Sequence, residues 1–313
     1  MDTIRIVLSA DRGFGSQLAV ALKSIVKNGG GDRFDLFVLH DGIDGPLRDQ
    51  LESVLDRTAS VEWLDARSPA TAGALLPDYL PQASLFRLRI EDLLPDHVDR
   101  VLYLDADVIV RRPLRKLWAA DIGDCLVGAV RDPIVPWAGA PLGLPWRDVE
   151  VAADAPYFNA GVLVIPLGRW RSEQLGRRAL ELLARRRLRH ADQCALNVVM
   201  KGRWAALDPS WNLQGGHLDE NSLALVTESG DVLHAAQSDP AIVHFNHSAW
   251  GRPWRPGCTH PFRHEWLGLL DATPWAGWRP DERGNAQPRA KASLARRAYW
   301  RVVRAGRVLI KRS

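Results

Sequence analysis

A short apolar stretch near the middle of the chain, Arg100 to Val110, limits the choice of fold more than any other feature, because it carries two carboxylates, Asp105 and Asp107. Its apolar residues predict a buried β-strand. Unpaired charges are costly in such a strand, since burial removes their hydration. In an extended chain, residues two apart point to the same side, so both carboxylates would meet where the strand ends. Two such oxygens suit a hard divalent cation.

A simpler interpretation of the two carboxylates needs no metal. Asp107 would cap the following turn, and Asp105 would pair with an arginine. The residues alone leave this alternative open. His244 follows a short apolar strand far downstream and is a candidate third ligand, although a lone histidine after a strand is usually structural. Two carboxylates and one imidazole would hold Mn²⁺ or Mg²⁺ and leave positions for phosphate oxygens.

Segments with strand and helix patterns alternate along the chain. The main predicted strands are Ile4–Leu8, Phe34–His40, Val61–Leu64, the carboxylate-bearing stretch and Tyr157–Ile165; the main predicted helices are Gln17–Val26, Pro81–Leu94, Gly168–Arg189 and Ala191–Met200. This alternation predicts an α/β fold with a mainly parallel sheet flanked by helices. In such sheets ligands bind beyond the carboxyl ends of the strands, where Asp11 and the carboxylate pair would lie.

The charge distribution divides the chain into a body and a tail. Ten Lys or Arg and no acid lie from Arg283 to the end, whereas the whole chain has a net charge of only +4, so the body is net negative. We therefore predict a catalytic domain at 1–272, a Pro/Gly-rich linker at 273–290 and a basic amphipathic helix at 291–313. Such a helix favours an anionic membrane surface. A helix packed on the body and a disordered basic tail are the alternatives.

Several classes of protein are disfavoured by composition. No stretch approaches 18 apolar residues, which argues against a transmembrane helix, and Arg5 interrupts the first apolar run, which argues against a signal peptide. The three cysteines show neither metal-site spacing nor a disulfide framework. A negative body without aromatic-basic motifs disfavours nucleic-acid binding. The expected location is cytoplasmic, peripheral on the inner face of the cell membrane.

Ordered sequence blocks between residues 4 and 256 resemble glycosyltransferase family 8. They are Ala10-Asp11-Arg12-Gly13-Phe14, Phe86-Arg87-Leu88, the Leu-Tyr-Leu-Asp-Ala-Asp run ending at Asp107, Tyr157-Phe158-Asn159-Ala160-Gly161-Val162, Asp192-Gln193, Asp208 to Asn212, and His244-Phe245 followed by Arg252-Pro253-Trp254. The resemblance implies a GT-A (Rossmann-like nucleotide-binding) fold. It also implies retaining transfer of galactose or glucose from a UDP-sugar to a glycan or glycolipid, with Mn²⁺ or Mg²⁺.

The resemblance also implies roles for individual residues. The metal ligands would be Asp105, Asp107 and His244, and the catalytic pair beside the reacting carbon would be Gln193 and Asp192. Contacts to UDP-galactose or UDP-glucose would come from Ala10, Asp11, Phe14, Arg87, Asp105, Ala106, Asn159, Ala160, Asp192, Gln193 and Arg252. Purely structural roles are the alternatives: core packing for Phe14, a surface arginine for Arg87, a strand-end polar residue for Asn159 and a helix N-cap for Asp192.

The chain departs from the family pattern in two places. The segment between His244 and Arg252 looks about two residues longer than usual, and Arg252 stands where relatives carry lysine. Arginine still binds a diphosphate, in a bidentate manner. Position 13 is glycine where relatives carry a polar side chain.

Two other functional classes fit the carboxylate pair. A Mg²⁺-dependent phosphohydrolase also places Asp-x-Asp after an apolar strand, but no matching downstream lysine or acidic pair is evident. A non-catalytic nucleotide-sugar-binding protein is disfavoured by the joint presence of Asn159, Asp192 and the three candidate ligands.

Overall fold

The structure, a computed structural model, describes residues 3–219, 230–246 and 250–281, and it has the predicted α/β architecture. The strands are β1 Ile4–Ala10, β2 Phe34–His40, β3 Ala59–Asp65, β4 Arg100–Asp105, β5 Val108–Val110, β6 Val127–Arg131, β7 Phe158–Pro166, β8 Trp204–Ala206, β9 Leu213–Gln214 and β10 Ile242–His244. The α-helices are α1 Gly15–Lys27, α2 Gly45–Glu52, α3 Pro69–Ala72, α4 Ile90–Leu93, α5 Arg115–Trp118, α6 Leu167–Glu173, α7 Leu175–Arg185, α8 Ala191–Met200, α9 Gly230–Ser238 and α10 Arg263–Leu270. Short 3₁₀ helices cover Arg12–Phe14, Gln82–Arg89, Pro209–Asn212 and Gly215–Leu218.

The main sheet has seven strands in the order β3-β2-β1-β4-β7-β6-β8. Strands β3, β2, β1 and β4 are parallel, whereas β7 runs antiparallel to both of its neighbours. Apolar side chains on both faces of β1 and β4 are buried, as expected when helices cover a mainly parallel sheet. Ser9 on β1 pairs with Asp105 on β4, so the carboxyl ends of these two central strands meet at one edge.

The predicted continuous strand through both carboxylates is wrong. Strand β4 ends at Asp105, the chain turns at Ala106 and Asp107, and β5 then joins a separate three-stranded sheet in the order β5-β10-β9. There His244 pairs with Val108, and the amide of Phe245 donates to the carbonyl of Asp107. A turn lets both carboxylates leave the apolar sheet interior, which a straight strand would not allow.

Two predicted helices also differ from the structure. The helix predicted at Gly168–Arg189 is divided into α6 and α7 at Gln174, which has left-handed dihedrals (φ 53°, ψ 44°). The break allows Gly176 to press against the chain at Leu88, whose carbonyl oxygen would lie 2.0 Å from an added Cβ. The helix predicted at Pro81–Leu94 is mostly 3₁₀, with only its last turn α-helical.

Residues 273–281, the start of the predicted linker, pack against the body. The ring of Trp275 lies against two apolar clusters and near Gly15 and Leu47, and Arg279 forms a 2.6 Å ion pair with Asp271. The rest of the linker and the predicted helix at 291–313 lie outside the described residues. Across the described ranges, no helix combines the length and apolarity needed to cross a bilayer.

Candidate active site

The structure brings the three predicted metal ligands together at the carboxyl edge of the main sheet. One ligand atom each from Asp105, Asp107 and His244 lies within 4.8 Å of the other two. The Nε2 atom of His244 is 3.1 Å from Oδ1 of Asp107 and 3.6 Å from Oδ2 of Asp105. The main sheet supplies Asp105, the turn supplies Asp107, and the small sheet supplies His244. Their convergence therefore depends on the junction between two sheets.

The two oxygens of Asp105 have different surroundings. Oδ1 accepts hydrogen bonds from the Arg87 guanidinium at 2.7 Å and from the Tyr103 hydroxyl at 2.8 Å, whereas Oδ2 faces His244. The arginine-pairing alternative is thus correct for one oxygen, while the other remains directed at the cluster. Burial acts to raise the pKa of Asp107, but the adjacent imidazole of His244 and the charge of Arg252 together lower it. The lowered pKa favours the ionised form of Asp107, which can ligate a cation.

Gly161 provides the space in which the cluster forms. A Cβ added to this glycine would lie 2.2 Å from Cε1 of His244 and 2.8 Å from Oδ2 of Asp105. The position has no positive φ, so the requirement for glycine comes from the close approach of these side chains. Glycine at 161 was part of a matched block, but its spatial role could not be read from the sequence.

Arg87 is buried between the cluster and the predicted catalytic helix α8. Besides Asp105, it forms a 2.8 Å ion pair with Asp192, and it donates to the carbonyl of Ala160. Its guanidinium also lies 4.6 Å from the centre of the Tyr103 ring. The surface-arginine alternative is therefore wrong. Burial raises the pKa of Asp192 to about 6, although Arg87 acts in the opposite direction. Asp192 is not an N-cap, because α8 begins after His190 and no side chain caps it.

Replacing Arg87 by Met is expected to lower the free energy of unfolding by about 3–5 kcal/mol, because it leaves the buried carboxylate of Asp192 and the partly buried carboxylate of Asp105 without their cation. Equilibrium urea unfolding measures this change. Arg187→Met is the matched control, since Arg187 and its partner Asp78 are both exposed, and such pairs contribute at most about 1 kcal/mol. Equal losses in the two variants would contradict the buried-pair interpretation.

Asn159 and Gln193 are joined by hydrogen bonds to each other and to Asp132. The Asn159 amide donates to Oε1 of Gln193 at 3.0 Å and to Oδ2 of Asp132 at 3.2 Å. The Gln193 amide in turn donates to the same Asp132 oxygen at 3.1 Å. A register shift between β6 and β7 after Ala129 bends the chain at this point, as bulges near functional sites do. Sequence analysis missed Asp132; its position directly after β6 at the carboxyl edge was the available signal.

The predicted nucleotide-contacting residues near β1 lie beside the cluster. Ala10 is buried at the end of β1, and Asp11 is half-buried directly after it. Burial and then the charge of Asp11 raise the pKa of Asp41, a neighbouring carboxyl after β2 that sequence analysis did not identify. Phe14 packs edge-to-face on Trp254 with ring centres 5.6 Å apart, so its packing alternative is realised. Ala106 is buried in the turn between the two carboxylates.

Arg252 supplies a positive charge next to the cluster. Its guanidinium lies 5.9 Å from the centre of the Trp254 ring and helps to lower the pKa of Asp107. The Nε atom is buried and has no hydrogen-bond partner among the described residues. A buried, unsatisfied donor of this kind is suited to an anionic ligand. Residues 247–249 of the lengthened segment lie outside the described ranges.

The arrangement of acids, histidine and amides agrees with comparisons to known proteins. The sequence pattern of glycosyl transferase family 8 matches residues 5–257. This chain belongs to glycosyltransferase family 8. It is 27% identical to General stress protein A of Bacillus subtilis (strain 168) over 88% of this chain and 95% of that protein. It is also 26% identical to a lipopolysaccharide 1,3-galactosyltransferase of Salmonella typhimurium, over 62% of this chain and 56% of that enzyme.

The fold of this family 8 member is likewise found among solved structures. An active-site mutant of LgtC superposes with a TM-score of 0.73 and 26% sequence identity, covering 89% of this chain and 98% of LgtC. This similarity confirms the predicted GT-A fold and a role in glycosyl transfer.

Family 8 enzymes with this fold use a divalent metal and a nucleotide sugar, and the donor set fits such a cation. Two carboxylates and one imidazole suit Mn²⁺ or Mg²⁺. The Nδ1 atom of His244 is 3.0 Å from the side-chain oxygen of Asn212, which leaves Nε2 for the ion. Asp105, Asp107 and His244 are thus the residues that would hold the metal.

Proposed function

We infer that this chain is a retaining hexosyltransferase that moves galactose or glucose from a UDP-sugar to a glycan or glycolipid acceptor. The observation that carries this proposal is the position of the Asp105, Asp107 and His244 cluster, which Arg87 connects to the predicted catalytic pair, Asp192 and Gln193. A single buried guanidinium thus connects the groups that would bind the diphosphate with those beside the donor sugar.

The diphosphate end of the donor needs positive charge, because a nucleoside diphosphate leaves only if its developing charge is stabilised. A bound Mn²⁺ or Mg²⁺ supplies Lewis-acid stabilisation of phosphate oxygens. The chain itself contributes Arg252, whose buried Nε atom lacks a protein partner among the described residues. Arg252 would therefore donate to the diphosphate.

We favour front-face substitution at the anomeric carbon. The bond from that carbon to the leaving phosphate oxygen breaks, the acceptor oxygen bonds to the carbon on the same face, and the acceptor proton moves to the leaving phosphate. Gln193 would stabilise the oxocarbenium-like charge. Asp192 as a transient nucleophile is the rival, but its carboxylate is buried and bound to Arg87. A glycosyl-enzyme trapped on Asp192 and seen by mass spectrometry would contradict front-face substitution.

A screen of UDP-sugars tests the proposed function. With Mn²⁺ present, we expect hydrolysis of UDP-galactose or UDP-glucose in the absence of acceptor, and its loss when EDTA removes the metal. Phosphate release from a generic phosphate ester without any nucleotide sugar would instead support the phosphohydrolase alternative. UDP-sugar binding without turnover of any donor or acceptor would support the non-catalytic alternative.

A cell-surface saccharide such as lipopolysaccharide is the proposed acceptor. The similarity to a lipopolysaccharide 1,3-galactosyltransferase supports this class. The loop at 131–156, which includes Asp132 beside Gln193, would shape the acceptor site. Its Trp137 is buried in the apolar core and so offers no free ring face to a sugar, whereas Trp146 is only partly buried, with the Arg147 guanidinium 4.0 Å from the centre of its ring. A glycolipid acceptor agrees with a cytoplasmic enzyme bound at the inner face of the cell membrane.

The basic segment at 291–313 is proposed to bind that anionic surface. Its arginines and lysines, together with Tyr299 and Trp300, give the composition of an interfacial helix. Removing residues 285–313 is expected to abolish sedimentation with vesicles that contain anionic lipid, while Mn²⁺-dependent UDP-sugar hydrolysis stays unchanged. Vesicles of neutral lipid are the control. Equal vesicle binding by the truncated and full-length chains would contradict the assignment.

A further inference from the structure

A buried hydrogen-bond chain connects the candidate metal ligand His244 with Gln193. From Nδ1 of His244 it runs to the side-chain oxygen of Asn212 at 3.0 Å, and the Asn212 amide donates to the side-chain oxygen of Asn159 at 3.0 Å. The Asn159 amide then donates to Oε1 of Gln193, also at 3.0 Å. Asn212 is fully buried and Asn159 is 5% exposed, so water does not compete for these bonds.

The direction of each amide in this chain is fixed by backbone donors. The backbone amide of Gly161 donates to the side-chain oxygen of Asn159 at 2.9 Å, and that of Ala160 donates to Oε1 of Gln193 at 3.1 Å. Both side-chain oxygens must therefore be acceptors, and the Asn159 amide must point at Gln193. The Asn212 amide must then point at Asn159, which leaves the Asn212 oxygen to accept from Nδ1 of His244.

Asn212 is placed for this role by the small sheet. It ends the 3₁₀ helix Pro209–Asn212 and directly precedes β9, whose Leu213 pairs with Val243 on β10. The next residues on the two strands, Gln214 and His244, also pair with each other. The same strand pairing that positions His244 thus positions Asn212 beneath its imidazole.

We propose that Asn212 is a positioning residue for both ends of the site. At the metal end, its side-chain oxygen holds Nδ1–H of His244, so that Nε2 faces the metal. At the sugar end, its amide orients Gln193 through Asn159. The proposal rests on the proposed function, since it concerns the metal and sugar ends of that same site. Asn212 itself would touch neither the metal nor the substrate. Groups that hold a ligating histidine commonly affect metal affinity or activity by about 10–100-fold.

Two substitutions separate the effect of Asn212 on His244 from its effect on Asn159 and Gln193. Asn212→Ala removes both bonds, and we expect Mn²⁺ affinity to fall about 10–100-fold. Asn212→Asp keeps an oxygen for His244 but places a second oxygen opposite the acceptor atom of Asn159. Mn²⁺ affinity should then stay within about threefold of wild type, while kcat falls about 10–100-fold. Calorimetric Mn²⁺ titration without nucleotide sugar measures the first effect. Amide-proton exchange of the Asn159 and Gln193 side chains, followed by NMR, measures the second independently of activity.

Asn28→Ala is the matched control, because the Asn28 amide also donates to a residue far away in the chain, at the backbone carbonyl of Val110, but lies outside the site. It should leave Mn²⁺ affinity and both side-chain amide signals unchanged. A folded Asn212→Ala variant with wild-type Mn²⁺ affinity would overturn the proposal. An Asn212→Asp variant whose Asn159 and Gln193 side-chain amide protons exchange at the wild-type rate would also overturn it. If Asn212→Ala does not fold, the Asn212→Asp variant alone tests the proposal. If the wild-type chain binds Mn²⁺ but transfers no sugar, the proposed function fails. The Mn²⁺ titration and the amide-proton exchange would still test the role of Asn212.

Discussion

Asp107→Asn is expected to reduce Mn²⁺-dependent UDP-sugar hydrolysis by at least about 100-fold, because a metal ion contributes several kcal/mol of charge stabilisation and this substitution removes a ligand charge. Asparagine has nearly the same shape as aspartate, and its oxygen can still accept from Nε2 of His244, which is 3.1 Å from Oδ1 of Asp107. The fold should therefore be retained. Initial rates measured over a range of Mn²⁺ concentrations, together with direct Mn²⁺ titration, check the prediction. Both the apparent and the direct affinity for Mn²⁺ should weaken.

The matched control for this substitution is Asp124→Asn, which removes the same charge from a fully exposed side chain. Its activity and Mn²⁺ affinity should equal those of the wild type. An Asp107→Asn variant that hydrolyses UDP-sugar at the wild-type rate, or that binds Mn²⁺ normally, would show that Asp107 is not a ligand. A melting temperature measured without metal separates loss of the site from loss of the fold.

The sequence predicts the sheet-forming strands and the composition of the site better than it predicts the geometry of the site. Strand β1 is apolar except for Arg5 and Ser9, and β4 is apolar between Arg100 and Asp105; such runs indicate a buried parallel sheet whose carboxyl ends share an edge. The position of Asp11 near Asp105 follows from that rule. Asp105, Asp107 and His244 could be identified from residue type and the resemblance to a family, without knowledge of their distances.

Local patterns of apolar residues do not show where a chain leaves one sheet and joins another. The apolar residues on either side of Asp105 and Asp107 are equally consistent with one long strand and with two short ones, so the turn at Ala106 was missed. The break at Gln174 was missed for a related reason: the helical periodicity continues across it, and the cause is the contact of Gly176 with a distant backbone. Tertiary contacts override local preference in both cases.

The roles of Asp132, Asn212 and Gly161 show the same limit at the level of single residues. Asp132 and Asn212 matter through hydrogen bonds to residues between 27 and 61 positions away in the chain. A single sequence has no local signal for such a partner. Gly161 shows this limit most clearly, because it has no side chain. Its role depends on the His244 and Asp105 atoms that surround the position of the absent Cβ.

Gly161→Ala is expected to abolish Mn²⁺ binding and to lower UDP-sugar hydrolysis by at least about 100-fold, the loss expected for removing the metal's charge stabilisation. The new Cβ would lie 2.2 Å from Cε1 of His244, far inside the closest approach of real Cβ atoms. Strand β7 cannot easily move away, because Val162 pairs with Leu104 on β4 and Asn159 pairs with Val130 on β6. The imidazole of His244 must therefore turn out of the cluster. Overpacking of this kind also costs about 1–3 kcal/mol of stability.

Gly168→Ala is the control for this change, since it adds the same methyl group to helix α6 where no atom lies within 4 Å. It should bind Mn²⁺ normally and be unchanged or more stable by up to about 1 kcal/mol, because alanine favours a helix over glycine. Mn²⁺ titration and urea unfolding of both variants make the comparison. If Gly161→Ala binds Mn²⁺ as tightly as Gly168→Ala does, then His244 is not the third ligand, or the cluster tolerates a displacement that these distances exclude. A crystal structure of Gly161→Ala with Mn²⁺ would separate those two outcomes by the position of the His244 ring.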